Sequence, residues 1–196
     1  IRINDLILTN NNDKLAHHNL GIIFSKLKRY KEAERCLKMA IDKGSDKSIY
    51  SLAVLYDNLE KYQEAEKYYI LSKSNWSLNN LAVLYDNLKR YKEAEKYYKM
   101  AIENGIIDSI HSLALMYEDT QKFNEAEKYY KLAIEKGSTK SINNLAAMYD
   151  NLERYQEAEK YYKMAIDKGD IDAIDNLANM YDYLNTKICS LCFIDN

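Results

Sequence analysis

The feature that most constrains the fold of this chain is a six-residue block, Glu-Ala-Glu-Lys-Tyr-Tyr, that recurs along it. The block stands in full at 64–69, 93–98, 125–130 and 157–162, and an altered copy occupies 32–37. Successive copies are 32, 29, 32 and 32 residues apart. A fixed period in this range is typical of arrays in which each unit is too small to bury its apolar face alone and must stack on its neighbours. We therefore expect one continuous array.

Each repeat carries two apolar stripes at helical spacing. With Thr139 as position 1, apolar side chains fall at positions 4, 7, 8, 11 and 14 and again at positions 17, 20, 24, 27 and 28. This spacing places each set on one face of a helix. Gly169, at position 31, provides the left-handed residue at which the second helix can end. The sequence therefore predicts an all-α fold of antiparallel helix pairs, with a first and a second helix in each 32-residue repeat.

Small residues and tyrosines occupy fixed positions in the repeat. Position 8 is Gly21 in the first repeat and alanine in the others, which predicts that the two helices of a pair cross closely there. Tyrosines recur at positions 11, 17, 23 and 24. We expect those at positions 11, 17 and 24 to be buried with the hydroxyl at an edge. Those at position 23 lie off the main stripe, and we expect them to form an aromatic seam between neighbouring second helices.

The pattern resembles the tetratricopeptide repeat. In repeat 139–170 the residues that carry the resemblance are Leu145, Ala146, Tyr149, Ala158, Tyr162 and Ala165. The junction between repeats, from Ala165 to Leu177, is similar to that of Sel1-like repeats, and the chain lacks the proline that the family often carries near the end of the second helix. The resemblance implies an α-solenoid, a right-handed superhelix of antiparallel helix pairs of TPR/Sel1-like type.

The repeats predict a division of the chain into three parts. Residues 1–13 form an N-terminal segment that we interpret as the end of a missing repeat. The array covers 14–184, and residues 185–196 form a C-terminal tail. The predicted repeats lie near 14–45, 46–74, 75–106, 107–138 and 139–170, followed by a capping half-repeat at 171–184.

One junction between repeats is irregular. The segment 70–76 is three residues shorter than the corresponding segments and lacks the glycine. This predicts a local change of helix length or stacking angle between the second and third repeats, with Trp76 filling the irregular space.

The resemblance also implies that the first helices line a concave face that binds a peptide. The inward-facing candidates at positions 5 and 6 are Asn19, Tyr50, Asn79, Asn80, His111, Asn143, Asn144 and Asn176. The asparagines at position 6 resemble a ladder that grips peptide backbone in some family members, since a carboxamide both donates and accepts hydrogen bonds. The alternative is that these asparagines are solvated or bond the neighbouring helix.

Carboxylates recur at position 12 of the first helix, near its C-terminal end. They are Asp57, Asp86, Glu118 and Asp150. One interpretation is local pairing with the basic residue four positions later, at position 16. The other is a negative groove that receives a basic segment. We favour the pairing because the spacing is so regular.

Composition excludes several classes of function. The formal net charge of -2 gives no basic excess for phosphate binding, so we expect no nucleic acid partner. No apolar run is long enough to span a bilayer. Three cysteines, an odd number, argue against a disulfide scaffold and favour a reducing, cytoplasmic location. The sequence contains no nucleophile-type turn and no glycine-rich loop, so we expect neither catalysis nor a cofactor.

These observations favour a non-catalytic scaffold that binds a peptide segment of a partner protein. The alternative is an adaptor region of a larger enzyme, or of a zinc-containing ubiquitin ligase whose catalytic module lies outside this chain. In that case Cys189 and Cys192, which have metal-ligand spacing, would be the first zinc ligands. A third possibility is self-association through the ends of the array.

Overall fold

The computed structural model describes residues 13–192, with side chains up to Lys187. This part of the chain contains eleven α-helices and no β-strand. The first six are α1 (Lys14–Lys26), α2 (Tyr30–Asp42), α3 (Asp46–Asn58), α4 (Tyr62–Leu71), α5 (Asn75–Asn87) and α6 (Tyr91–Glu103). The other five are α7 (Asp108–Asp119), α8 (Phe123–Glu135), α9 (Lys140–Asn151), α10 (Tyr155–Asp167) and α11 (Asp172–Cys192).

Consecutive helices form antiparallel pairs, and the chain divides after Ile106 into two compact halves. The N-terminal half contains the pairs α1/α2, α3/α4 and α5/α6. The C-terminal half contains α7/α8 and α9/α10, followed by α11. Within each half, a second helix packs on its own first helix and on the first helix of the next pair. The predicted all-α fold of helix pairs is confirmed.

Helix α11 is longer than the half-repeat expected at 171–184, because it continues to Cys192. It packs on α9 and α10. Two positions of its apolar stripe are exposed, Ile174 by 50% and Tyr181 by 39%. No described residue covers them in the way that a second helix covers the other first helices. The domain boundaries given above stay a prediction.

Four second helices end at a glycine in the left-handed conformation, as the sequence predicts. The φ angle lies between +81° and +92° at Gly44, Gly105, Gly137 and Gly169. Beyond Gly137, the N–H of Ser138 donates to the carbonyl oxygen of Ala133 at 2.9 Å, which closes a Schellman turn. A β-carbon at any of these glycines would have no neighbour within 4 Å. The backbone conformation, and not packing, therefore favours glycine here.

First helices end in the same conformation without glycine. At position 15 the φ angle lies between 56° and 59°, and the residues are Lys28, Glu60, Lys89, Gln121 and Glu153. The next N–H reaches back five residues, as from Arg154 to the carbonyl oxygen of Tyr149 at 2.8 Å. A residue with a β-carbon costs about 1–2 kcal/mol in this region, so a left-handed residue is usually glycine. Because position 15 carries Lys, Glu or Gln, the sequence gives no sign of this conformation.

The small residues at position 8 lie in the core of the complete pairs. Ala53, Ala82, Ala114 and Ala146 are fully buried. In the first pair, a β-carbon on Gly21 would lie 2.6 Å from Cγ of Leu37. The two helices of this pair therefore approach too closely at position 8 for a larger side chain, as expected.

The rings of the tyrosines at positions 11 and 23 contact each other within one pair. Their ring centroids are 5.4–5.6 Å apart in Tyr56/Tyr68, Tyr85/Tyr97, Tyr117/Tyr129 and Tyr149/Tyr161. The predicted seam between neighbouring second helices is therefore wrong, because each position 23 ring finds an aromatic partner on its own first helix. In the complete repeats the tyrosines of positions 11 and 24 are buried as expected, whereas Tyr30, Tyr62 and Tyr91 at position 17 are about one-third exposed.

The second glutamate of the recurring block, at position 21, joins consecutive repeats. In the C-terminal half, Glu127 accepts hydrogen bonds from Lys131 Nζ at 2.6 Å and from Arg154 Nη1 at 2.9 Å. The hydroxyl of Tyr149 also bonds this carboxylate. The Arg154 guanidinium lies over the Tyr149 ring, 4.3 Å from its centroid. The glutamate of one repeat thus holds the tyrosine and arginine of the next.

The same arrangement occurs in the N-terminal half. The Tyr85 hydroxyl donates to Glu66 at 2.7 Å, and Arg90 Nη1 donates to the second oxygen of this carboxylate at 3.2 Å. We refer to position 21 of one repeat with positions 11 and 16 of the next as the glutamate cluster. The block that reveals the repeat is therefore part of the contact between repeats.

The irregular junction changes a helix length, as predicted. Helix α4 has 10 residues, whereas the other four second helices have 13. Trp76, however, is 50% exposed on the first turn of α5. The prediction that it fills the irregular space is wrong, because half of its surface stays in contact with solvent.

Among the described residues, no helix is both long enough and apolar enough to cross a membrane.

Gly137→Ala should lower the free energy of unfolding by about 1–2 kcal/mol, because the added β-carbon strains the left-handed backbone. Gln121→Gly, which relieves the same conformation at position 15, should raise it. Urea denaturation followed by circular dichroism measures both changes. Effects of the same sign in the two variants would contradict the explanation.

Glu127→Gln should destabilise the C-terminal half. Burial by itself raises the pKa of Glu127, but hydrogen bonds from Lys131, Arg154 and Tyr149 outweigh it and leave the pKa below its ordinary value. A lowered folded-state pKa contributes stability at neutral pH that is lost as the pH falls through that pKa. We expect a loss of about 1 kcal/mol at neutral pH, typical of a partly exposed ion pair, and a smaller one in acid.

The matched control for this variant is Glu125→Gln, one half-turn earlier on α8. Glu125 is exposed and has no ion pair among the described residues. Urea unfolding at neutral and acidic pH should separate the two variants. Equal losses would mean that the glutamate cluster does not stabilise the contact between repeats.

Candidate functional site

The carboxylates of position 12 bond tyrosine hydroxyls of the second helix in the same pair. The Tyr69 hydroxyl donates to Asp57 at 3.0 Å, and the Tyr130 hydroxyl donates to Glu118 at 2.6 Å. The same bond joins Tyr98 to Asp86 at 3.4 Å and Tyr162 to Asp150. These tyrosines all stand at position 24, twelve residues after the carboxylate.

The predicted pairing of positions 12 and 16 is wrong, because the basic side chains are engaged elsewhere. Arg154 contacts Glu157 as well as Glu127, both at positions on second helices. Arg90 likewise contacts Glu93 and Glu66. Positions 12 and 16 are four residues apart, but the arginine at position 16 contacts the glutamate at position 21 of the preceding repeat. The carboxylate at position 12 bonds the tyrosine instead.

The tyrosine hydroxyl also reaches the asparagine of position 6 in the next repeat. Asn80 Nδ2 donates to the hydroxyl of Tyr69 at 3.4 Å and to that of Tyr50 at 3.1 Å. Asn144 bonds the hydroxyl of Tyr130. We refer to the position 12 carboxylate, the position 24 tyrosine and the position 6 asparagine of the next repeat as the tyrosine bridge.

Side chains of position 5 link neighbouring first helices directly. His111 Nδ1 lies 2.9 Å from Oγ of Ser141, a buried serine at position 3 of the next repeat. His18 and Ser48 are related in the same way, at 3.0 Å. The histidine ring nitrogen and the serine hydroxyl therefore satisfy each other between consecutive first helices.

Asparagines complete these links. Asn176 Nδ2 donates to Oδ1 of Asn143 at 3.2 Å, from α11 to α9. Asn79 Nδ2 lies 3.4 Å from Oδ1 of its neighbour Asn80. Only Asn19 is exposed among the predicted asparagines, whereas the others are half-buried.

The structure therefore brings the predicted residues together in small groups. Tyr50, Asn79 and Asn80 meet beside Tyr69 and Asp57. His111, Glu118 and Asn144 surround Tyr130, whose ring centroid is 6.0 Å from that of His111. Of the two interpretations given for the asparagines, a bond to the neighbouring helix occurs at Asn80, Asn144 and Asn176. Their role in peptide binding stays a prediction.

Burial shifts the pKa values of the carboxyl and histidine side chains on this face. Burial raises the pKa of the Asp57, Glu118 and Asp150 carboxyls, and the tyrosine hydrogen bonds oppose this shift only in part. Burial, with a smaller contribution from Lys140, lowers the pKa of His111 to about 4. At neutral pH the face therefore presents neutral histidine and amide groups beside half-buried carboxylates.

Sequence reasoning missed the role of the position 24 hydroxyls. The signal was present in the chain itself. The repeats with a carboxylate at position 12 also have tyrosine at position 24, whereas the first repeat has Ser25 and Leu37 at these positions. The carboxylate and the tyrosine occur together because each satisfies the other.

No group of three or more His, Cys, Asp or Glu side chains in the described part of the chain is placed to share a metal ion. The side chains of Cys189 and Cys192, proposed above as zinc ligands, lie outside the described residues.

Family comparisons match most of the chain. Four models, each described as tetratricopeptide repeat, match residues 16–47, 46–73, 76–104, 106–137 and 139–168. No curated protein matches the chain in sequence.

Solved structures show the same fold at low identity. A tetratricopeptide repeat protein from Parabacteroides merdae is 19% identical, with a TM-score of 0.70 over 93% of this chain and 77% of that one. YrrB, described as a TPR protein with an unusual peptide-binding site, is 17% identical, with a TM-score of 0.63 over 91% and 98%. MamA from Desulfovibrio magneticus is 15% identical, with a TM-score of 0.66 over 79% and 93%. At these identities the similarity supports the fold alone.

Tyr130→Phe should lower the free energy of unfolding by about 1.5–3 kcal/mol at neutral pH, the range for a hydrogen bond to a charged group. Because burial holds the folded-state pKa of Glu118 above its usual value, the fold disfavours the ionised form, and stability falls as the pH rises through that pKa. The tyrosine bond limits this loss. The effect of the substitution should therefore shrink in acid, where Glu118 is protonated.

The control is Tyr129→Phe, which removes a hydroxyl from the adjacent residue while its ring keeps its contact with Tyr117. Chemical denaturation at several pH values should show little change for this variant. A loss at Tyr130 that does not depend on pH would contradict the tyrosine bridge to Glu118.

Proposed function

Because the chain belongs to the tetratricopeptide repeat family, we propose that it is a non-catalytic scaffold that binds a peptide segment of a partner protein on its first-helix face. The observation that carries this proposal is the tyrosine bridge. In each half it gives the first helices a short series of half-buried carboxylates and amides, Asp57 with Asn80 and Glu118 with Asn144. Such a series matches a peptide backbone, whose donors and acceptors also recur at a fixed spacing.

The bridge leaves hydrogen-bonding capacity for a ligand. In Asp57 and Glu118 the tyrosine hydroxyl uses one carboxylate oxygen, and the other can accept a backbone N–H. A neutral hydrogen bond contributes about 0.5–1.5 kcal/mol. Micromolar affinity needs about 8 kcal/mol, so contacts to the side chains of the peptide must supply much of the binding energy.

The comparisons support an interaction role in general terms. All of the family matches are to repeat models, and none is to a catalytic family. YrrB is described as having a peptide-binding site, which makes peptide recognition a reasonable proposal for a chain of the same fold. Absence of catalysis, absence of nucleic acid binding, self-association through the array ends and a cytoplasmic location stay predictions.

Replacing three asparagines of position 6 together tests the proposal. The triple variant Asn80→Ala, Asn144→Ala and Asn176→Ala should lose partner proteins that the unchanged chain captures, with affinity lower by about a hundredfold for three lost hydrogen bonds. Affinity capture followed by calorimetry on an identified partner measures the change.

Asn124→Ala is the matched control, because Asn124 is exposed on the second helix α8 and lies outside the proposed face. Thermal unfolding of both variants separates loss of binding from loss of fold, since Asn80, Asn144 and Asn176 also bond neighbouring helices. Retention of every partner by a folded triple variant would remove the asparagines from the binding face.

A further inference from the structure

The boundary between the first two repeats lacks the tyrosine bridge. Ser25 replaces the carboxylate of position 12, Leu37 replaces the tyrosine of position 24, and Ser51 replaces the asparagine of position 6. All three substitutions shorten the side chain. The polar groups that fill the corresponding space between the second and third repeats are therefore missing here.

Leu37 packs against Gly21 in its own helix pair. Its Cγ lies only 2.6 Å from the point where a β-carbon on Gly21 would stand, and its side chain is 1% exposed. Glycine at position 8 thus receives Leu37 on its own helix pair. The outer part of the space, towards the next first helix, is left open.

A cleft of about 280 Å³ occupies this position between α1 and α3. Its lining residues are Ile22, Ser25, Lys26, Leu37, Tyr50, Ser51, Val54 and Leu55. The floor and walls are mostly apolar, and the Ser51 hydroxyl already donates to the carbonyl oxygen of Lys47 at 3.2 Å. An apolar side chain can therefore enter without leaving a buried charge unpaired.

One charged side chain, that of Lys26, lines the cleft. Lys26 is exposed at position 13, where the later complete repeats have asparagine or aspartate, and it forms no ion pair among the described residues. With serine at position 12, no carboxylate lines the cleft to balance Lys26.

We propose that the cleft between α1 and α3 is a specificity pocket that receives an aliphatic side chain of the bound peptide, with an acidic residue of the same peptide paired with Lys26. The volume accommodates a leucine or isoleucine side chain, and Lys26 selects the acidic neighbour. This inference rests on the proposed peptide-binding function and names the class of peptide. Burying one such side chain contributes about tenfold to a hundredfold in affinity.

Selection from a phage-displayed library of random short peptides tests the pocket. Peptides enriched on the unchanged chain should carry Leu, Ile or Val next to Asp or Glu. The variant Val54→Phe, which fills the cleft, should bind the enriched peptides at least about tenfold more weakly by fluorescence anisotropy. Lys26→Gln should weaken binding of the same peptides. It should not change the affinity for versions of these peptides in which Ser replaces the acidic residue.

Val83→Phe is the matched control. Val83 stands at the same position of α5, within the sequence Leu-Ala-Val-Leu-Tyr-Asp-Asn-Leu that 52–59 and 81–88 share. A second pocket variant is Ser51→Asn. It introduces the asparagine that Asn80 provides at position 6 of the next repeat, and its longer side chain should also reduce peptide binding. Because other repeats carry asparagine at position 6, Ser51→Asn should fold, and the test does not depend on whether Val54→Phe folds.

Three outcomes would overturn the inference. Enriched peptides that lack the aliphatic and acidic pair would reject the pocket, and if the triple asparagine variant still abolished their binding, the proposed function would stand. Equal losses in Val54→Phe and Val83→Phe, with no loss in Ser51→Asn, would also reject it. Enrichment of no peptide at all would contradict both the pocket and the proposed function.

Discussion

The four helix pairs from α3/α4 to α9/α10 bury tyrosine rings and must satisfy their hydroxyls, and this requirement organises the contacts between repeats. A buried tyrosine needs a hydrogen-bond partner at the edge of the core. Tyr85, at position 11, finds it in Glu66 of the preceding repeat. Tyr69, at position 24, finds it in Asp57 of its own repeat and Asn80 of the next. The tyrosine rings therefore provide apolar contacts in the core, and their hydroxyls provide hydrogen bonds between consecutive repeats.

The parts of the fold that depend on local chemistry could be predicted from the sequence. Helical spacing predicted the pairs, the glycines predicted the ends of second helices, and the small residues at position 8 predicted the close crossing. Local rules failed where a partner is distant in the chain. The acceptor Asp57 and its donor Tyr69 are twelve residues apart, whereas the rule for pairs on a helix considers only residues three or four apart. The left-handed turn at position 15 was also missed, because Glu and Lys do not indicate it.

The sequence predicted the residues of the candidate site but not the bonds between them, and their role in peptide binding stays a prediction. The resemblance to the tetratricopeptide repeat pointed to the first-helix face, and the predicted side chains do meet one another there. Their bonds to tyrosine and serine could not be deduced, because they depend on the offset between consecutive first helices. Repetition supplies the remaining information. Since the bridge occurs in later repeats, its absence around Leu37 marks the first boundary as different, and that is where the apolar cleft lies.

The short helix α4 has a consequence for how the chain folds. Helices α3 and α5 share eight consecutive core and edge residues, 52–59 and 81–88, so a second helix could pack on either one with nearly the same contacts. Such degeneracy invites exchange of partners and misaligned assembly in arrays of near-identical units. With 10 residues in α4 against 13 in α6, the two partnerships are no longer equivalent. The irregular junction thereby gives the array a unique register.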